Sequence, residues 1–539
     1  MRTRTIAAIA LLSFGTTVLS GTASAQQTLV DLVRDGQREA ALAAITSPDI
    51  DLEAAEPDGS TALLWATYAD DLDLVRALLA AGARADISNR YGSSPLIEAV
   101  KLGNAELVRL LLDAGANPDS SNQDKQTALM LAANIGALDI ARMLIDHGAN
   151  VNTIESFRGQ TALMWAAAEN HPAVAELLIE YGADVSVRAV HDDWPRQITS
   201  EPRAQFRQTG GLTALLYATR SGCYRCAVAI VEAGADVNQA NPDGITPLIN
   251  ALDNKSFDIA MYLLDKGANP SVWDMNGRTP LYVAVDMNSF KLRGFGFGFG
   301  FITAAPRQTD TFTAMDVIER LLAMGVDTNH QLTRMRPNGN GRGRFVDYMM
   351  RGGTGPLMVA TLSYDNEAIQ ALLMHGAEVD LTNVFQMTPL MAAAGMSGSA
   401  RGGAAPPGDE PQARVISTID LLLDAGADIN ARVTDSHTYT AKLDAYIQGR
   451  DQEGRTALFS AAELGWDQVV KHLIDRGADP TVRDAAGQSV LDAAMAPARA
   501  GPGARRGPES GNREATLALL NAVLAKSAIG TDAAPAEGP

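Results

Sequence analysis

A Thr or Ser returns at positions 61, 94, 127 and 161, spaced 33 or 34 residues apart. It resumes at Thr213, Thr246 and Thr279, and again at Thr388, Thr456 and Ser489. A second marker, Gly-Ala, keeps the same phase at Gly82, Gly115, Gly148, Gly182, Gly234, Gly267, Gly376, Gly426 and Gly477, with Gly325-Val326 as a variant. Self-similarity at this period limits the fold more than any composition does. Within one unit, Thr61 suits the N-cap of a short helix because its hydroxyl can accept an unpaired backbone N–H. Leu63 and Ala66 supply that helix's apolar stripe, and a turn follows, often at Gly (Gly103, Gly136, Gly222). The next stretch, LDLVRALLAAG, is apolar at helical spacing and ends at Gly82, a residue free to adopt the left-handed cap. The Asp/Asn-rich segment beyond reads as a tight projecting turn. A unit of this size cannot bury its apolar face alone, so units must stack.

Stretches such as KQTALMLAANIGALDIARMLIDHGANVN (125–152) resemble the ankyrin repeat family, whose pattern runs G-x-T-P-L-H-x-A-A-x-x-G, helix, L-L-x-x-G-A-D-V-N. The resemblance covers nearly all of residues 27–526. It implies an all-α ankyrin-repeat solenoid of stacked helix-turn-helix units with projecting turns. About ten units carry the marker, and two divergent units, Leu29–Pro57 and Gly487–Lys526, read as caps. One departure is consistent. The His of T-P-L-H is replaced by Leu64, Ile97, Met130, Met164, Leu216, Ile249, Tyr282, Met358, Met391 and Phe459, so apolar packing is expected where a hydrogen bond is usual. More loosely, the long insertions look like those of exported bacterial ankyrin proteins.

The chain divides accordingly. Residues 1–25 read as a signal peptide, 26–57 as an N-terminal capping repeat and 58–188 as repeats 1–4. A loop insertion at 189–210 precedes repeats 5 and 6 and the first helix of repeat 7 (211–288). A Gly/Phe-rich insertion (289–313), the second helix of repeat 7 (314–327) and an Arg/Gly-rich insertion (328–353) follow. Repeats 8 and 9 (354–432) enclose an insertion at 397–414, and another loop fills 433–453. Repeat 10 spans 454–486, the C-terminal cap 487–526 carries an insertion at 496–513, and 527–539 read as a disordered tail. Insertions 189–210, 328–353 and 433–453 lengthen projecting turns. The other three lengthen the turn within a helix pair. Insertions on such scaffolds often carry function.

The 539 residues are 46% hydrophobic and 20% charged, with a net charge of −19. That acidity opposes nucleic-acid binding by the surface as a whole. Arg2 and Arg4, the apolar run Ile6–Leu12 and Ala23-Ser24-Ala25 before Gln26 have the form of a secretory signal. No later run reaches the length of a membrane-spanning helix. The expectation is therefore export, to the periplasm or beyond the cell.

No nucleotide loop, zinc helix or nucleophile elbow is present, and no cofactor or metal site is expected. The two cysteines form Cys223-x-x-Cys226 at the start of a second helix. Three readings stay open: structural thiols in a core position, a disulfide in an oxidising compartment, or a thiol-redox pair. Asp70, Asp71 and Asp73 read as capping charge, and His147 and His375 as partners of the last helical carbonyls.

Binding in the ankyrin family uses the projecting turns and first helices. By register this implies Arg90, Tyr91, Phe157, Arg158, Arg188 and Trp273 on turns, and Tyr68, Lys101, Asn134 and Arg220 on first helices. Trp194 lies in the first insertion, which either folds back over the groove or forms part of a partner site, and Arg334, Arg336, Arg342 and Arg344 in the Arg-rich one are candidates for an acidic peptide, a carboxylate or a phosphate, or for the protein's own carboxylates. The Gly-Phe run 294–301 either packs on its own repeat or serves as an adhesive tongue. The resulting expectation is a non-catalytic scaffold for a protein partner, with an exported enzyme as one candidate. A redox protein and an envelope adhesin are the alternatives.

Overall fold

The computed structural model describes residues 27–191, 210–289, 311–333, 353–384, 386–396, 411–434, 453–496 and 512–531. Its helices fall into two compact units, residues 1–123 and 124–539. Both are all-α. Among the described residues extended pairing is limited to isolated antiparallel bridges, such as Ala55 with Thr61 in the first unit and Arg188 with Thr213 in the second.

Each first helix opens the way its sequence dictates. The hydroxyls of Thr61, Ser94, Thr127, Thr161, Thr213, Thr246, Thr279 and Thr388 accept the N–H three residues on, at 3.2–3.4 Å. Gly355 occupies this position in its repeat and Thr456 in another, and neither makes a side-chain cap. The side chains replacing the ankyrin His, from Leu64 to Phe459, are all 6% exposed or less. Apolar burial of this kind contributes about 25 cal/mol per Å².

The turns are framed by side chains. Asn89 Oδ1 accepts the N–H of Tyr91 and Ser93. Asn241 serves Asp243 and Ile245, and Asp274 serves Asn276 and Arg278. In the second unit Gly277 has φ +80, and a Cβ there would lie 2.6 Å from the backbone N of Thr333. Conformation and space both demand glycine at that point.

Asn side chains join successive repeats of the second unit. Asn152 donates to Gly182 O and accepts from Asp184 N, and Asn238 does the same with Gly267 and Asn269. Asn329 links to Gly376 and Glu378, and Asn430 to Gly477 and Asp479. Each donates and accepts once, so neither group of its amide is wasted.

The second-helix face is bridged differently. Asp146, Glu232, Asp265 and Asp424 end their helices, where the dipole disfavours an anion. The following repeat supplies the compensation. Tyr181 Oη donates to Asp146, Lys266 Nζ sits 2.6 Å from Glu232, and Arg320 and Arg476 reach Asp265 and Asp424. Arg225 pairs with Glu176 at 2.8 Å. Hydrogen bonds from Lys266 and Tyr262 hold the Glu232 carboxyl below its ordinary range. Burial, and then Glu232, push the Tyr262 hydroxyl up to about 12.

Two helices differ from the sequence boundaries. Pro411–Asp424 begins inside the stretch read as insertion 397–414, with Pro at its first position, where its missing N–H costs nothing. Arg513–Thr531 continues past Lys526 into the stretch read as tail. Its continuation, Ser527-Ala528-Ile529, holds no helix breaker before Gly530.

Candidate partner-binding surface

In the first unit Tyr68 is 64% exposed and Tyr91 61%. Tyr68 meets Trp65 edge-on, and Trp65 Nε1 donates to Glu56 at 2.9 Å. Arg90 is occupied locally: its guanidinium donates to Pro57 O and its N–H to Asp58 O. Lys101 pairs with Glu98. Asp71 caps its helix through Leu74 N, and Arg38 binds both Asp71 and Asp73.

The second unit holds the more open groups. The turn before Thr161 is one residue longer than those before Thr61 and Ser94, with Glu155 four residues before its Gly where Glu56 and Asn89 stand three before theirs. The extra methylene of Glu reaches across the added residue. Its carboxylate is buried and accepts the N–H of Phe157 (2.6 Å), Arg158 (2.7 Å) and Gln160 (3.0 Å). This frame presents Phe157, 68% exposed, with the Arg158 guanidinium carbon 5.5 Å from its ring centre. In the next repeat Arg220 lies over the Tyr217 ring at 4.8 Å. Gln160 Nε2 donates to Tyr217 Oη at 2.7 Å, tying turn to helix. Among the described residues neither Arg158 nor Arg220 has a carboxylate within ion-pair distance.

Trp273 is 58% exposed and stacks on His330, with ring centres 5.2 Å apart. Behind it, buried Arg278 binds Asp274 at 2.7 Å and Asp253 at 2.8 Å. Burial works against the charge of Arg278, but the two carboxylates outweigh it and raise its pKa further. Arg188 proves to be a brace, donating to Gly211 O and Ala240 O at the neck of the first insertion. Asn134 contributes its carbonyl to His171. His147 and His375 bond the carbonyls of Met143 and Ala371 through Nδ1. Trp194, Arg334, Arg336, Arg342, Arg344 and the run 294–301 lie outside the described residues.

Cys223 and Cys226 are joined as a disulfide, 1% and 0% exposed. Cys223 is the N-cap of its helix, and its sulfur accepts Cys226 N–H. The pair therefore substitutes for a Ser/Thr cap. Its burial shields both sulfurs from an attacking thiolate.

Models of ankyrin repeats match residues 29–122, 103–189 and 215–292, and a single-repeat model matches 453–485. The chain belongs to the ankyrin repeat family. No curated protein matches it. Ankyrin repeats are in general protein–protein interaction modules, and proteins built from them are typically non-enzymatic. Among the described residues no group of three or more His, Cys, Asp or Glu side chains could hold a metal ion. Nor is any described helix long and apolar enough to cross a membrane.

Within the ankyrin register, sequence reasoning passed over the position four residues after each N-cap. It holds Trp65 in the first unit, and Trp165, Tyr217 and Asn250 in the second. Counting from the recurring Thr is enough to find this row. Glu155 and His330 were also missed, because their roles depend on contacts across turns.

Proposed function

We propose that this ankyrin protein is an exported, non-catalytic scaffold that holds a protein partner along the turns and first helices of residues 124–539. The observation that carries this reading is the exposure of Phe157 and Trp273 on turns framed by buried Glu155 and Asp274. Large rings presented on a rigid frame lose little entropy on binding, and aromatic and Arg side chains dominate binding energy at interfaces. Export rests on the N-terminal pattern, and a buried disulfide is in keeping with an oxidising compartment. The partner is then an exported protein, an enzyme in need of support or protection among the candidates.

The test is copurification from cell fractions of a tagged chain, with a Phe157→Ala/Trp273→Ala variant alongside. The expected result is one stoichiometric protein in the periplasmic fraction, lost from the variant. A chain retained in the cytoplasm would overturn the export part. A partner bound equally by both forms would overturn the surface.

A further inference from the structure

Arg158 and Arg220 differ from most of the cations described above. On the second-helix face of the same unit Arg225, Lys266, Arg320 and Arg476 each meet a carboxylate of a neighbouring repeat. Arg158 and Arg220 instead lie against rings, Phe157 and Tyr217, and both are exposed. A guanidinium held against an aromatic ring keeps N–H groups free for bidentate contact with a carboxylate. Two acids of this edge are already committed: Glu155 to three backbone N–H groups, and Asp253 to Arg278.

A second observation falls in the same two repeats. Trp165 and Tyr217 occupy equivalent positions on the neighbouring first helices Ala162–Ala168 and Ala214–Ser221, which pack together. Trp165 Nε1 is buried without an acceptor. In the first unit the equivalent Trp65 is satisfied by Glu56. The longer turn has spent the carboxylate of Glu155 on its own backbone, and the indole N–H has lost the partner its counterpart keeps. A buried donor without an acceptor is costly, so an incoming oxygen that draws the ring outward gains more here than at a satisfied site.

We propose that this edge takes an extended acidic segment of the partner protein, with Arg158 and Arg220 receiving two of its carboxylates. The proposal rests on the scaffold reading above and adds the chemistry of what is held. Arg158 stands at the turn and Arg220 in the last turn of the next first helix. That separates them by roughly 10 Å along the helix and roughly 8–10 Å across the packed pair of first helices, about 13 Å in all. An extended chain covers that distance in about four residues. The acids it carries are therefore four or five positions apart.

The test is selection of a displayed random dodecapeptide library on the immobilised chain. The recovered peptides are then measured on Arg158→Gln/Arg220→Gln, Arg225→Gln and Phe157→Ala/Trp273→Ala variants. All replaced side chains are exposed, and melting curves check that the fold is kept. The expected result is enrichment of peptides with Asp or Glu four or five residues apart. They should bind at least tenfold more weakly to Arg158→Gln/Arg220→Gln and unchanged to Arg225→Gln. Acid-poor peptides that depend on Phe157 and Trp273 would overturn the acidic chemistry and leave the scaffold surface standing. Peptides indifferent to every variant would overturn both. Failure to recover any peptide would overturn the proposal.

Discussion

The second-helix face and the turn edge of residues 124–539 treat charge in opposite ways. On the first, Glu176, Glu232, Asp265 and Asp424 are each met by a cation of the following repeat. On the second, Arg158 and Arg220 rest on rings and Trp273 stands open beside His330. The first arrangement settles neighbouring repeats against one another and leaves little for an outside partner. The second keeps its contacts available, and its rigidity comes from beneath, from Glu155, Asp274 and Arg278. The same residue types thus maintain the stack on one side and face outward on the other.

Removing the buried frame should have the largest effect. Arg278→Leu leaves Asp274 and Asp253 without their cation, and breaking a buried pair this way costs about 3–5 kcal/mol. Urea unfolding should register that loss. A change below about 1 kcal/mol would mean the turn edge is no more firmly framed than the second-helix face. Asn238→Ala comes next. It removes one donor and one acceptor between repeats, with an expected loss of about 1–2 kcal/mol.

Acid should weaken both regions together. The Asp184 and Asp479 carboxyls at the turns are held below the ordinary 3.8 by Ser186 and Thr481, and Glu232 on the other face by Lys266 and Tyr262. Depressed folded-state pKa values add stability that is fully present above the unfolded value and is lost as pH falls through the folded one. Melting temperature should therefore hold steady from pH 8 to 5 and drop below about pH 4. A drop beginning between pH 7 and 6 would instead point to histidine. The smallest effect belongs to Arg225→Gln. Its pair is exposed, so stability should change by less than about 0.5 kcal/mol in calorimetry. A larger loss would show that the second-helix pairs do more than fine-tune the stack.

Much of the fold was legible because each repeat states the same physics again. Thr61 and its equivalents name the N-caps, and Gly82 and its equivalents the ends of second helices. The site was only partly legible. The exposure of Phe157 and Trp273 could be read from register, because a turn residue needs no distant partner to be exposed. Arg188 read as a binding residue, yet its guanidinium is spent on Gly211 and Ala240, which lie across an insertion and in the next turn. Glu155 gave no sign of its role, since a carboxylate accepting three backbone N–H groups looks like any acidic turn residue until the turn is closed. Trp165 was hidden for a related reason. Its lost acceptor shows only beside Trp65, whose Glu56 belongs to a turn one residue shorter.

The most direct test of the turn edge as the partner surface is site-specific photo-crosslinking in cells. A benzophenone side chain would replace Phe157 or Trp273 on the turn edge and, separately, Tyr224 on the second-helix face, which is 46% exposed. The account predicts one discrete protein adduct from positions 157 and 273 and none from 224. An adduct from 224 alone, or equal adducts from all three, would contradict it.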